Sequence, residues 1–410
     1  MGQERDRSIV RELARKYMEL VCSEKQKKIF QRQRDTNDLK IVRPPVILAE
    51  IPWYQMNMDD ELTLICEDAR ARKAELFFRK ALFYMKHFKA DNKFEPYFRL
   101  KRAVDSTGTG LEITTSEIKR TDSKNNIISH EYEDVLEDES ALEKMHDPEF
   151  TLRPDRDAEA MEYYTELLGD TIPVRLYGFG YLYNAPWDII SMLRGVEPIL
   201  MDMYDRPEYL HAIMKKFVSA TMAELDFVEK YLDVDNDFAD LHCTSGLVSG
   251  KAETGLKATW YRGMAQTLGV ISPAMFKEFE VDYILPITRR FAYTYYGCCE
   301  PLDDRIEILK AIPNLRKLGC SPWANVEKCA EQIGGDYVLS RKPNPANVAI
   351  KTDPEVIQRE IEETVKACIR HGCPYDITLK DISTVSHRPE NLIVWAKTVS
   401  DVLDRYYGEA

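Results

Sequence analysis

From Thr171 to the end of the chain, strand-like and helix-like segments alternate, and this rhythm restricts the fold more than any other feature. TIPVRLYGFG (171–180), FADLHCTSG (238–246), FAYTYYGCC (291–299), LRKLGCSPWA (315–324), YVLSRKPNPA (337–346) and YDITLKDIST (375–384) read as strands that run into Gly-, Pro- or Ser-containing loops. Helical runs lie between them at 199–232, 271–291, 325–333, 353–371 and 389–407. The run at 271 has Ser272 as its cap and Pro273 in the first helical position. A seventh strand, PVILAEIPWY (45–54), is a near-continuous apolar stretch bounded by prolines. Strands separated by helices imply parallel βαβ units, and at least seven of them in 410 residues favour a closed (β/α)8 TIM barrel over an open sheet.

Two parts fall outside this rhythm. Residues 1–44 predict a helical extension, with Val10, Leu13, Ala14, Tyr17, Met18 and Val21 as its apolar stripe. Residues 91–150 are polar, with turn signals at Gly108, Gly110 and Asn125-Asn126. They predict a small β-hairpin excursion and an acidic helix inserted in a barrel that spans 45–410, serving as a lid, an interface piece or plain surface.

Charge and cysteine usage narrow the function classes. A net charge of −13 argues against nucleic acid, because nothing would neutralise its phosphates. The opening MGQERDRSIVRELARKYMEL has no signal-peptide apolar core, and no stretch is apolar enough to span a membrane. Nine cysteines in so long a chain read as free thiols in a reducing cytoplasm. No Gly-x-Gly-x-x-Gly follows a strand, which speaks against dinucleotide chemistry.

The residues with chemistry cluster just past the strand ends, where a barrel places its working groups. They are His242 and Cys243 with Asp240 before them; Cys298, Cys299 and Glu300 after Tyr296; Cys320; Arg341 and Lys342; and Asp381. Thiolates, imidazole and carboxylates are zinc-ligand types, and three of them leave a fourth position for substrate. Glu50, Trp53 and Tyr54 sit where the first strand ends. Each residue also has a plain reading, in which cysteines and aromatics pack in the core and Arg341 and Lys342 are solvated loop.

From about residue 160, the chain resembles the uroporphyrinogen decarboxylase superfamily, which includes cobalamin-dependent methyltransferases. The segments that carry the resemblance are LRGVEPILMDMYDRPEYLH (193–211), ISPAMFKEFEVDYILPITRR (271–290), TYYGCCEPLDD (294–304), RKLGCSPWANVEKCAEQIGGDYVLSRKPNPA (316–346) and RPENLIVWAK (388–397). The opening ILAEIPWYQM (47–56) lacks both arginines with which the decarboxylases grip propionates, and at 296–299 a cysteine is kept where the zinc methyltransferases have His-x-Cys.

The resemblance implies methyl transfer from a small methylated substrate to a corrinoid on a partner protein. A zinc would be held by Cys298 or Cys299, with Glu300, His242 or Asp381 completing its ligands. Trp53, Tyr54, Tyr183, Tyr296 and Trp323 are the expected pocket walls. The alternative is a metal-free decarboxylase or other lyase, with Asp240 or His242 as acid/base and Arg341 and Lys342 holding substrate carboxylates. A non-catalytic corrinoid-binding subunit is the third reading, and a homodimer is left open.

Overall fold

The computed structural model describes residues 2–117, 130–235, 240–249 and 254–408. Helices α1 (Gly2–Val21) and α2 (Glu24–Asn37) open the chain, split where Ser23 caps the second by accepting from Gln26 N–H. Strand β1 (Val46–Leu48) and helix α3 (Ala69–His87) follow. Short strands β2 (Phe98–Lys101), β3 (Val104–Ser106), β4 (Thr115–Glu117), β5 (His130–Tyr132) and β6 (Phe150–Leu152) come next. Then come α4 (Pro154–Leu168), β7 (Val174–Tyr177), β8 (Tyr181–Asn184), α5 (Pro186–Arg194), α6 (Val196–Asp205), α7 (Pro207–Tyr231), β9 (Asp240–Leu241), β10 (Thr244–Ser245) and β11 (Trp260–Gly263). A helix built from α8 (Pro273–Phe276), a π turn (Lys277–Val281) and α9 (Asp282–Thr288) precedes β12 (Tyr293–Tyr296). The chain ends with α10 (Ile306–Leu309), β13 (Leu315–Cys320), α11 (Val326–Ile333), β14 (Val338–Arg341), α12 (Ala346–Ala349), α13 (Pro354–His371), β15 (Tyr375–Leu379) and α14 (Glu390–Tyr407).

The main sheet has seven strands in the order β1-β15-β14-β13-β12-β11-β8, and every neighbouring pair is parallel. The expected closed eight-stranded barrel is therefore not formed. The sheet is an open, curled half-barrel, with β1 and β8 at its two edges and no pairing between them among the described residues. Two local events explain this. The segment at 238–246, expected as one barrel strand, folds back on itself: β9 and β10 pair antiparallel, with Thr244 opposite Leu241 and Ser245 opposite Asp240. Residues 238 and 239 lie outside the described residues. Likewise β7 pairs with β2 in a separate two-stranded ribbon, so only β8 of that stretch joins the sheet.

The 91–150 stretch holds two antiparallel pairs, β3 with β6 and β4 with β5, and a 3-10 turn at Glu139–Lys144. The Asn125-Asn126 turn expected there lies outside the described residues. One apolar core runs under the sheet and its helices, and a second joins α1, α3 and α4 around Val10, Tyr17, Phe78 and Leu168. Among the described residues, no helix is long and apolar enough to cross a membrane.

One buried acid makes this core sensitive to pH. Glu280, on the π turn, is fully buried and accepts from the Tyr296 hydroxyl at 2.9 Å. Burial pushes its carboxyl up to about 8 from an ordinary 4.5. Between those values the folded protein keeps a proton that the unfolded chain has released, so stability falls as pH rises and levels off above about 8. Glu280→Gln should remove this dependence. Its urea midpoint relative to the parent should rise steadily from about pH 5 to about pH 8; parallel pH profiles for the two proteins would contradict the assignment.

Candidate metal centre

Four chain segments bring their ends together at one end of the sheet. The hairpin turn between β9 and β10 presents His242 and Cys243. The β1 loop supplies Glu50, the β12 loop Cys298 and Cys299, and the β15 loop Lys380 and Asp381. Glu50, Cys243 and Asp381 all have left-handed backbones, with φ of 52°, 59° and 55°. Non-glycine residues adopt that region at a cost of about 1–3 kcal/mol, and such strain gathers at functional sites. The β12 strand leaves through Gly297 at φ 99°, where a side chain would collide with Leu302.

Ligand atoms of Glu50, His242 and Cys243 all lie within 4.8 Å of one another. Glu50 Oε1 is 3.6 Å from Cys243 Sγ and 3.9 Å from His242 Nε2, and Oε2 accepts from the Asp381 N–H at 2.7 Å. Cys298 lies against Cys243, Cys299 and His242. Its Sγ is 3.9 Å from that of Cys299, which donates to Asp381 Oδ2 at 3.0 Å. Lys380 Nζ donates to Cys299 Sγ at 3.0 Å and to Asp381 at 2.6 Å.

The thiols do not titrate alike. Hydrogen bonds from Cys243 and then Cys299 hold Cys298 far below the usual thiol range, and the same contacts push Cys243 and Cys299 up. Burial would lower Lys380, but the charges of Cys298, Cys243 and Cys299 outweigh it and hold the ammonium above its usual range. Burial would raise Asp381, yet its bonds to Cys299 and Lys380 hold it below the usual carboxylate range. A half-buried nest with a thiolate, an imidazole and carboxylates, and with cations alongside, is chemically fitted to a borderline-soft divalent cation such as zinc.

The structure sorts the residues singled out in the sequence. His242, Cys298, Cys299 and Asp381 come together. Tyr183 joins them, with its ring edge-on to His242 at 5.1 Å and 47% exposed. Glu300 is buried and turned to the backbone, accepting from Cys298 N–H at 2.9 Å and Ala265 N–H at 3.3 Å, so it positions the loop. Asp240 sits opposite Ser245, at the far end of the hairpin from its turn. Tyr296 faces the helix layer and Glu280. Trp53 packs edge-on against Phe83, while Tyr54 lies beside His387 in the loop after β15. Trp323 is 70% exposed in the loop after β13.

Arg341 is buried and engaged elsewhere: it donates to the Ser321 carbonyl at 2.7 Å and pairs with Glu360 of α13 at 3.2 Å. Lys342 is buried too, donating to the Cys243 carbonyl at 2.6 Å and to Ser340 at 2.8 Å. Sequence reasoning missed Arg262 and Lys380. Arg262 lies on β11, a strand the sequence reading did not recognise. It is fully buried over the Tyr295 ring at 4.1 Å and donates to the His242 carbonyl at 3.3 Å. Lys380 was hidden as an ordinary strand-end lysine.

Comparison with known proteins adds little. No family model matches the chain, and no curated protein matches it. Among solved structures it is similar to a methyltransferase from Methanosarcina mazei, at 14% identity and a TM-score of 0.49, over 92% of this chain and 99% of the other. A likeness of that size says nothing about activity.

The hairpin turn depends on Lys342, which gives a test of how the centre is built. Lys342→Met should leave every ligand-type side chain in place yet weaken metal retention, by about tenfold if one charged hydrogen bond of about 1.5 kcal/mol is lost. Competition with a chromogenic chelator would measure it. Unchanged affinity would show that the turn holds its shape without this lysine.

Proposed function

We propose that the chain is a zinc-dependent methyltransferase that moves a methyl group from a small methylated substrate to a corrinoid carried by a partner protein. The observation that carries this reading is the convergence of Glu50, His242 and Cys243, with Cys298 and Cys299 beside them, at one end of the sheet. The sequence resemblance to barrels that include cobalamin-dependent methyltransferases supports the reaction class.

Glu50, His242 and Cys243 would hold the zinc, with Cys298 in reach of two of them. Zinc there supplies Lewis acidity toward the oxygen, nitrogen or sulfur that carries the methyl group. The chain's own residues do the rest. Lys380 and Arg262 offset the negative charge of the thiols, which keeps a sulfur-rich ligand set stable in a partly dry site. Tyr183, half-exposed against His242, offers the substrate an apolar wall. Gln266 donates to Asp188 at 3.0 Å, and burial holds the Asp188 carboxyl above its usual range.

The decarboxylase alternative relied on Arg341 and Lys342 to grip substrate carboxylates. Arg341 is paired with Glu360 and Lys342 with backbone inside the sheet, so neither is free for that task.

Purified protein should contain about one zinc per chain. Cys243→Ser and Glu50→Gln should each lose most of it, while Cys320→Ser should keep it. With reduced cobalamin and a panel of methyl ethers, methylamines and methyl thioethers, at least one donor should yield methylcobalamin, and chelation should abolish the reaction. Full metal content in both ligand variants, or methyl transfer indifferent to chelator, would overturn the proposal.

A further inference from the structure

A cavity of about 430 Å³ lies beside Tyr177 and Val234, ahead of the start of β8. Its walls include Phe30, Arg34, Tyr97, Arg99, Arg175 and Tyr177. The arginines lie over rings: Arg175 over Tyr97 at 4.2 Å, Arg99 over Tyr97 and Tyr177 at 5.3 and 5.5 Å, and Arg34 over Phe30 at 6.0 Å. The acids that also line it, Glu95, Asp233 and Asp235, are already committed. Arg99 pairs with Glu95 at 2.5 Å and Asp235 at 3.2 Å, and Arg102 pairs with Asp233 at 2.8 Å. Arg34 and Arg175 form no ion pair with any described residue. Their guanidinium groups lie over aromatic faces with donors left over.

We propose that this cavity binds a planar organic anion: a flat ring that slides between the aromatic walls, bearing one phosphate or carboxylate for Arg34 and Arg175. The volume suits a ligand of nucleotide or aromatic-acid size. Guanidinium groups prefer such oxyanions because two N–H donors match two oxygens. The site also touches the metal centre's support. Phe30 and Arg34 are on α2, and Asn37 at the end of that helix donates to the Ser245 and Leu247 carbonyls at 3.0 and 2.7 Å. Leu247 itself lines the cavity. A bound anion is thus clamped between α2 and the hairpin segment that carries His242 and Cys243, and should steady that segment.

The test is equilibrium binding of adenosine 5′-monophosphate and of benzoate to the full-length protein, with adenosine and inorganic phosphate as half-ligand controls. At least one of the two anions should bind saturably, and more tightly than either control; which one does so separates the phosphate source from the carboxylate source. Arg175→Ala and Arg34→Ala should each weaken it by about tenfold or more, the loss expected for a charged hydrogen bond. Arg175→Lys should restore it only in part. Ligand should also slow hydrogen exchange within 240–249. No saturable binding of either anion up to millimolar concentration, or affinity indifferent to both arginine variants, would overturn the proposal.

Discussion

Three buried cations inside the curled sheet hold the candidate centre in place. Arg262 on β11, Lys317 on β13 and Lys342 just after β14 all reach across to the β9–β10 hairpin. Arg262 takes the His242 carbonyl, Lys342 the Cys243 carbonyl, and Lys317 the Ser245 carbonyl at 3.0 Å. Lys317 also pairs with Asp376 at 2.8 Å, and that carboxylate accepts from Thr244 and Ser340. An unpaired ion in such a place costs several kcal/mol, so the hairpin and these cations stabilise one another. Removing either side leaves charge without a partner. The turn is therefore fixed less by its own two-residue strands, which are too short to persist alone, than by side chains from the sheet.

This arrangement explains why the sheet is open and the site is still well defined. Where a barrel would have inserted another strand, the chain makes a tight hairpin and spends its residues on the turn. Trp260 Nε1 bonds the Gly246 carbonyl at 2.8 Å and Asn37 grips the next carbonyls, so the hairpin is held from the sheet and from α2 at once. With the hairpin fixed, His242 and Cys243 can face Glu50 and Cys298 despite the strained backbone at Glu50, Cys243 and Asp381.

Much of the framework was legible in the sequence. The strands at β13, β14 and β15 begin within a residue of their expected starts, because apolar runs between amphipathic helices leave little choice. Closure was not legible. It depends on whether 238–246 pairs with neighbours or with itself, and periodicity is the same in both cases. For the site, sequence located the converging loops but not the direction of each side chain. One position along a strand reverses the face, which is why Tyr296 turns to Glu280 while Tyr295 lies inside, and why Arg341 meets α13 while Lys342 reaches Cys243. A lysine or arginine read as a substrate grip can equally be a strut, and only the structure separates the two.

The central claim is that the hairpin turn and the β1 and β12 loops together form a zinc site rich in sulfur. X-ray absorption at the zinc edge of the purified protein tests it most directly. The account predicts a first shell that mixes sulfur at about 2.3 Å with nitrogen or oxygen at about 2.0–2.1 Å, and weaker sulfur scattering from the zinc that Cys243→Ser binds when reconstituted with excess metal. A shell of oxygen and nitrogen alone, or one unchanged by that substitution, would contradict it.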